Sequence, residues 1–382
     1  MSFVLRELTC TNWRNFQHLH ISLGDKTTVL HGSNAVGKTN TIEAVQMITT
    51  GTSFRKPLLA QMIYHNENAA HLRGVYEDEL HSVELACNIS THVKTYLKND
   101  KKCSVSTFCS VMPSVLFSPD DLLFVKQTAR YRRSEIDGFG ILAHKGYRKL
   151  IKTFSRALEQ RNNILKLNFV DSEILHAWSV SLAHGSASVV AARLKLINQL
   201  YHKACEVYHT ISPAEQLEIT YKSSIPLIKD LEHKVEEPYM YSPQSLCSLS
   251  KEDLMQAYLD AFSQKEQEEL RRQVTLIGPQ RDDIEFYING VPARTYASQG
   301  QQRSIVLAWK LAEVLFIKEL TGQNPILLLD DVMSELDETR RLAIMEFIQQ
   351  GIQTIITTTN LSYFTKDILD RAQVVNMNEK QS

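Results

Sequence analysis

The sequence predicts an α/β fold built from both ends of the chain, with a mostly helical subdomain inserted between them. Three observations carry that expectation. An apolar strand pattern at Thr27 to Leu30 runs into a Gly-containing loop and then a helical pattern from Lys38 to Ile48. From Pro119 to about Ile211 Gly and Pro become sparse, and apolar residues recur at helical spacing, as in Leu150, Phe154, Leu158 and in Val190, Leu194, Ile197, Tyr201. Beyond residue 273 strand and helix alternate again, which is how a sheet with covering helices is written. The expected division is therefore 1–118 and 273–382 for one head, 119–211 for a helical lid, and 212–272 for a mixed, acidic connecting segment.

The individual elements follow from periodicity. Val4 to Thr11 and Leu19 to Leu23 read as short strands, and the alternating stretches Ala69 to Tyr76, His81 to Ile89 and Lys94 to Leu97 add an antiparallel sheet to the first part of the head. The connecting segment contains a strand pattern at Leu217 to Lys222, a Pro-interrupted stretch from Pro238 to Pro243, and a polar helix from Lys251 to Arg272. After it come a strand at Ile284 to Ile288, a turn at Asn289-Gly290, a long helix from about Gln301 to Leu320, an apolar strand at Ile326 to Leu329, a helix from Glu338 to Gln350 and a strand at Thr354 to Thr358.

Composition excludes several classes. With 43% hydrophobic and 22% charged residues the chain belongs with globular proteins and not with disordered ones. No apolar run approaches the roughly 20 residues of a membrane helix, and the N-terminus lacks a basic-then-apolar signal pattern, so a cytoplasmic location without a membrane partner is expected. The six cysteines, at 10, 87, 103, 109, 205 and 247, include no C-x-x-C pair that would suggest zinc or redox chemistry. A net charge of −1 conceals an uneven distribution. Between Lys126 and Lys166 eleven Lys or Arg face three acids, a local balance of +8, whereas Glu215 to Glu269 holds twelve acids against five lysines. A basic run on helices is what a solvated face looks like, and it is also what a phosphate-binding face looks like.

Gly32-Ser33-Asn34-Ala35-Val36-Gly37-Lys38-Thr39 fits G-x-x-x-x-G-K-[ST], after a strand and before a helix. Glycines let successive backbone N–H groups turn toward phosphate oxygens, Lys38 neutralises the β and γ phosphates of ATP, and the Thr39 hydroxyl can bind Mg²⁺. Ile326 to Asp331 is an apolar strand ending in two carboxylates. In the P-loop context Asp330 is placed as the Walker B aspartate in the Mg²⁺ shell, and Asp331 as the group that orients or deprotonates the attacking water, although such a pair alone could simply cap the next helix. Ser298-Gln299-Gly300-Gln301-Gln302-Arg303 opens the long helix before Walker B, so Ser298, Gly300 and Gln301 offer a hydroxyl and free N–H groups at a positive helix end. That is the pattern of the signature of ATP-binding cassettes, and equally of a plain Ser N-cap. In a cassette it reaches the γ-phosphate held by a partner subunit, which implies an ATP-dependent homodimer. Ser334-Glu335-Leu336-Asp337 matches the D-loop of such a dimer.

Thr11-Asn12-Trp13-Arg14-Asn15-Phe16, the loop with Asn34 and Asn40 around Gly37-Lys38-Thr39, Leu116 to Leu122 leading to Arg132-Arg133, Gly278-Pro279-Gln280-Arg281-Asp282-Asp283, the signature at Ser298 and Leu328 to Asp337 together resemble the motifs of the bacterial RecF family, in order and across essentially the whole chain. The resemblance implies an ATP-binding-cassette P-loop ATPase head like those of Rad50 and SMC proteins without the coiled coil. It implies a weak, DNA-stimulated ATPase that binds double-stranded and gapped DNA, works with RecR-like and RecO-like partners, helps load a recombinase at gaps, and serves the SOS response. The lid residues Arg130, Arg132, Arg133, Arg148, Lys149, Lys152 and Arg156 are then the expected DNA contacts. The sequence departs from the family in three places. Ala35 stands where Gly is usual, Gln280 replaces a usual His, and the strand ending Thr357-Thr358-Thr359-Asn360 carries no histidine of the kind that switches transporter cassettes. Competing readings are a cassette head of another SMC-like complex or of a nuclease, which would need a further acidic metal-binding domain.

Overall fold

The computed structural model describes residues 3–227, 239–246 and 248–379. Lys229, Lys234 and Pro238 of the acidic segment, and Cys247, lie outside the described residues. By contacts the chain forms two compact units, one from Met1–Leu122 with Glu313–Ser382 and the other from Leu123–Ala312.

In the first unit a five-stranded parallel sheet runs in the order Gln373–Asn376, Thr27–His31, Thr354–Thr358, Ile326–Asp330, Ser114–Phe117. Its central strands are apolar or threonine runs with nearly every residue buried, as a sheet covered on both faces requires. A six-stranded antiparallel sheet has the order Phe16–Ser22, Val4–Trp13, Ala69–Glu77, Ser82–Ser90, Lys94–Lys98, Lys101–Lys102. Its strand Ala69–Glu77 alternates buried and exposed residues, the mark of one packed and one solvated face. The helix Lys38–Thr50 belongs to the same core as both sheets. Ile42, Val45 and Ile48 of the helix cluster with Leu5, Leu8 and Trp13 of the antiparallel sheet and with Leu328 and Ile355 of the parallel one.

The second unit holds the helices Ala129–Ala143, Tyr147–Leu165, Ser172–Ile211 and Lys251–Arg272, with a four-stranded antiparallel sheet ordered Tyr239–Tyr241, Leu217–Ser223, Asp283–Ile288, Val291–Pro292. The sequence assigns residues 273–312 to the head, yet they cluster with this unit. Two contacts account for it: Asp283–Ile288 pairs residue for residue with Leu217 to Lys222, and Phe124, Phe286 and Trp309 form an aromatic group with centroids 5.6 to 5.8 Å apart. Three buried arginines tie its helices to distant segments: Arg132 to Asp283, Arg161 to Glu269, and Arg193 to Asp137. The edge strands Gln373–Asn376 and Ser114–Phe117 are elements that the sequence patterns do not announce.

Gly74 lets the antiparallel sheet approach the helix, because a Cβ there would lie 2.5 Å from Cδ1 of Ile48. Gly74→Ala is therefore expected to destabilise the protein by about 1–3 kcal/mol through overpacking. Adding Ile48→Val, which deletes the opposing methyl group, should recover part of that loss. Denaturant unfolding of both single variants and the double variant checks this, and simple additivity would show that the two positions do not press on each other.

Candidate nucleotide-binding site

The loop between the strand Thr27–His31 and the helix Lys38–Thr50 keeps Ser33, Asn34 and Ala35 exposed, while Gly32, Val36, Gly37 and Lys38 are buried. Gly37 adopts φ 102°, and a Cβ there would sit 2.2 Å from Cζ of Phe16, so both conformation and space demand glycine. Ala35 lies in the left-handed region at φ 66°. This is the physical content of its departure from the family's glycine: the methyl group points into open surroundings but carries the backbone strain of a left-handed L-residue, about 1–2 kcal/mol.

Lys38 donates through Nζ to the carbonyls of Gly32 (2.7 Å) and Ser33 (2.8 Å), curling back over its own loop. Burial lowers its pKa from the ordinary lysine value, and the nearby carboxylates of Asp331 and Asp330 oppose that shift. Thr39 Oγ1 donates to Asp330 Oδ1 at 3.0 Å, and Thr357 Oγ1 donates to the same oxygen at 2.8 Å. Burial raises the pKa of Asp330, tempered by the hydrogen bonds from Thr357 and Thr39. Asp331 is held at φ 53°, with its backbone N–H donating to Thr357 Oγ1 at 2.9 Å. Its pKa is also raised, chiefly by burial, with Lys38 opposing and Asp330 adding to the shift. Oδ1 of Asp331 is buried and makes no hydrogen bond.

A buried lysine whose amine is bonded to loop carbonyls, two carboxylates whose pKa burial raises and one carboxylate oxygen without a donor are the complement of a magnesium-bound polyphosphate. Thr39 and Asp330 are the hard oxygen ligands that would hold Mg²⁺ here. Among the described residues no group of three or more His, Cys, Asp or Glu could hold a metal ion by itself.

Other contributors surround the loop, of which Asn378, Arg55 and Glu43 are not apparent from sequence. Asn378 Oδ1 accepts from both the N–H (3.2 Å) and the Oγ (2.9 Å) of Ser33, pinning the exposed side of the loop. Behind the loop, Asn40 donates to Asn15 at 2.6 Å and accepts from Arg55 at 2.7 Å, while its carbonyl accepts from Trp13 Nε1 at 2.8 Å. Glu43, fully buried, receives Arg14, Arg55 and Ser53. The available signal was an acid within the apolar run from Ile42 to Val45. Ser334 Oγ donates to the Asp331 carbonyl at 2.9 Å, and Asp337 caps the helix Glu338–Ile348 by accepting from the Arg340 N–H at 3.0 Å.

In the second unit Ser298 and Gln301 form a reciprocal cap: Ser298 Oγ accepts from the Gln301 N–H at 3.2 Å, and Gln301 Oε1 accepts from the Ser298 N–H at 2.8 Å. Gln301 also donates to Glu215 at 2.8 Å. Ser298 is exposed, and the first-turn amides of Gln299 and Gly300 lack partners inside the helix.

The expected DNA contacts divide. Arg130, Arg148, Lys149, Lys152 and Arg156 are exposed. Arg132 is a correction: it is 1% exposed, donates to both Asp283 oxygens at 2.8 and 2.6 Å and to the Gln127 carbonyl, and so faces no phosphate backbone. Arg133 is half-buried and donates to the Asp282 carbonyl. Arg161, part of the same basic run, is likewise buried against Glu269, Ser179 and Thr275.

The whole described chain matches the family described as RecF/RecN/SMC N terminal domain, over residues 4–382. The "DNA replication and repair protein RecF" of Heliobacterium modesticaldum is 32% identical over 384 residues, covering 99% of this chain and 98% of that protein. Its namesake from Streptococcus pyogenes is 34% identical over 366 residues, covering 95% and 94%. Among solved structures, that of the recombination mediator protein RecF with ATP in the RecFOR pathway is similar with a TM-score of 0.81 at 28% identity, covering 95% of this chain and 94% of that one. An SMC head bound to the C-terminal winged-helix domain of ScpA, at 14% identity and a TM-score of 0.50, shares the fold. An ATPase-type head with a P-loop and Walker B carboxylates in register, matched over nearly its full length by RecF proteins, places this chain in the RecF family.

Proposed function

We propose that the chain is an ATP-dependent DNA-binding ATPase of recombinational repair and replication, acting in the cytoplasm as an ATP-driven homodimer that binds duplex and gapped DNA. The observation that carries the reading is the meeting of Lys38, Thr39, Asp330 and Asp331 at the ends of the parallel strands, with an unsatisfied Asp331 oxygen among them. Lys38 and the loop amides would hold the phosphates of ATP, and Thr39 and Asp330 would hold Mg²⁺, which supplies charge neutralisation on those phosphates. Asp331, its carboxyl biased by burial toward taking up a proton, orients the attacking water and accepts its proton. Ser298 and the amides of Gln299 and Gly300 bind a partner's γ-phosphate. The exposed basic residues of Ala129–Ala143 and Tyr147–Leu165 contact the DNA backbone without reading sequence. RecF proteins named for replication and repair, and a RecF solved with ATP in the RecFOR pathway, support the repair assignment and RecR-like and RecO-like partners; recombinase loading at gaps and a role in SOS induction are part of the same proposal.

Lys38→Met is expected to abolish nucleotide binding, measured with a fluorescent ATP analogue. Asp331→Asn should retain binding and lose turnover by roughly a hundredfold or more, because it removes the base and leaves the loop. Hydrolysis by Asp331→Asn at the parent rate would assign the water to another group.

Replacing Arg148, Lys149 and Lys152 together by Glu should weaken binding to all duplex sequences alike and flatten the log-affinity against log-salt slope by up to about 3. Unchanged affinity and slope, by fluorescence anisotropy, would make this a solvated face.

Ser298→Arg places a bulky cation where the partner's γ-phosphate would sit. Monomer nucleotide binding should survive and ATP-dependent dimers disappear, as read by light scattering in an Asp331→Asn background. Dimerisation that persisted would leave Ser298 as a helix cap alone.

A further inference from the structure

The helical unit carries a cleft of about 340 Å³ whose walls come from the three helices Ala129–Ala143, Tyr147–Leu165 and Ser172–Ile211 and from Pro279 and Gln280 of the loop before Asp283. Its size is at the small end of the roughly 300–1,000 Å³ of small-molecule sites, too large for a bare ion and too small for a chain of several units. Three kinds of chemistry converge on it. Arg130 and Arg133 supply guanidinium groups from one face of Ala129–Ala143. Arg130 is exposed, and Arg133 is half-buried with a single bond to the Asp282 carbonyl. Ile151 and Phe154 of Tyr147–Leu165 supply an apolar wall, with Ser155 exposed at its edge. The third contribution is Gln280, which donates through Nε2 to the Ile277 carbonyl at 2.8 Å while its Oε1 is buried over Gly278, so that the side chain lines the cleft without offering it an accessible acceptor.

Electrostatics make the cleft an anion site and not a neutral one. The carboxylate that lines it, Asp137, is consumed by Arg193 at 2.9 and 3.1 Å and by the Tyr147 hydroxyl at 2.8 Å. Arg193 is in turn saturated by Asp137 and the Pro279 carbonyl. Arg130 makes no ion pair among the described residues, and burial followed by the adjacent Arg193 disfavours the charge of Arg133, with Asp283 and Asp282 opposing that shift only in part. Arriving negative charge relieves that crowding. Two guanidiniums fit a phosphate. The apolar wall beside them fits a flat ring.

We infer that this cleft binds a single phosphorylated nucleotide unit, with its phosphate on Arg130 and Arg133 and its base or sugar against Ile151 and Phe154. The unit is either a nucleotide free in solution or one unpaired residue of a bound DNA, and in the second case the inference rests on the DNA-binding reading above.

The probe is thymidine 5′-monophosphate, titrated calorimetrically into the full chain with the Gly32 to Thr39 loop saturated by a non-hydrolysable ATP analogue. Saturable binding is expected, with thymidine lacking the phosphate binding far more weakly. Arg130→Gln, which removes a charged donor, and Ser155→Trp, which fills the cleft from an exposed position, should each weaken binding by roughly tenfold or more. In a second arm, a duplex ending in three unpaired thymidines is compared with the same duplex fully paired. If the unit comes from DNA, Ser155→Trp removes any preference for the unpaired end and leaves affinity for the paired duplex unchanged. If the preference persists while thymidine monophosphate binding is lost, the cleft serves a free nucleotide. No saturable binding of thymidine monophosphate, or binding indifferent to both variants, overturns the inference. Should the Arg148, Lys149 and Lys152 charge reversal leave duplex binding untouched, the DNA reading fails by itself, and the thymidine monophosphate titration still decides the cleft.

Discussion

One carboxylate oxygen organises the head. Oδ1 of Asp330 receives hydroxyls from Thr39 and Thr357, residues 291 and 27 positions away, and so fastens the start of the loop's helix to the ends of two parallel strands. The strand register makes this possible, with Leu329 opposite Ile356 and Asp330 opposite Thr357, while Thr357 itself lies opposite Leu30. A slip of one residue would turn Asp330 to the other face of the sheet. Lys38, Asp331 and the loop glycines gain their meaning from that alignment. Each of them is a buried or strained group whose cost is met only when it stands opposite the others, which is the usual economy of a site built for a ligand.

The helical unit works by a different rule. Its buried arginines are paired with carboxylates on distant elements, and losing one partner of such a pair costs on the order of 3–5 kcal/mol because the other is left charged in a dry interior. The Gln280 to Asp283 motif belongs to this scaffold. Asp282 accepts from the Tyr221 hydroxyl at 2.6 Å and from Ser224 at 2.9 Å, and Asp283 holds Arg132. Residues that a motif presents as a chemical signature thus hold a helix to a sheet, and the surface they shape contains the cleft.

The strands and helices of the head were legible in the sequence because its parallel strands are continuous apolar runs and its loop has a spacing set by phosphate geometry. The pairing of Lys38 and Thr39 with Asp330 and Asp331 was legible for the same reason. The basic run was legible as charge but not as surface. Arg132 and Arg148 look alike in one dimension, and only the partner 151 residues away shows that the first is spent inside the fold. Asn378 was hidden similarly, since it acts on Ser33 from 345 positions away, and Glu43 was hidden inside an apolar helical run. The strands Ser114–Phe117 and Gln373–Asn376 are four residues long, too short for a period to declare itself.

The bond between Ser33 and Asn378 spans 345 positions of sequence. The loop's strand is also flanked on both sides by strands from the far end, Thr354–Thr358 and Gln373–Asn376. During synthesis the segment that will cradle the phosphates emerges first, but the sheet on which it rests is absent until almost all of the chain has followed. At about 5–20 residues per second that is a wait of tens of seconds. The inserted unit, complete by residue 312, can settle in the interval. The second unit is therefore fully synthesised before the last strands of the head, and a nascent chain carries the basic helices well before it carries the whole sheet.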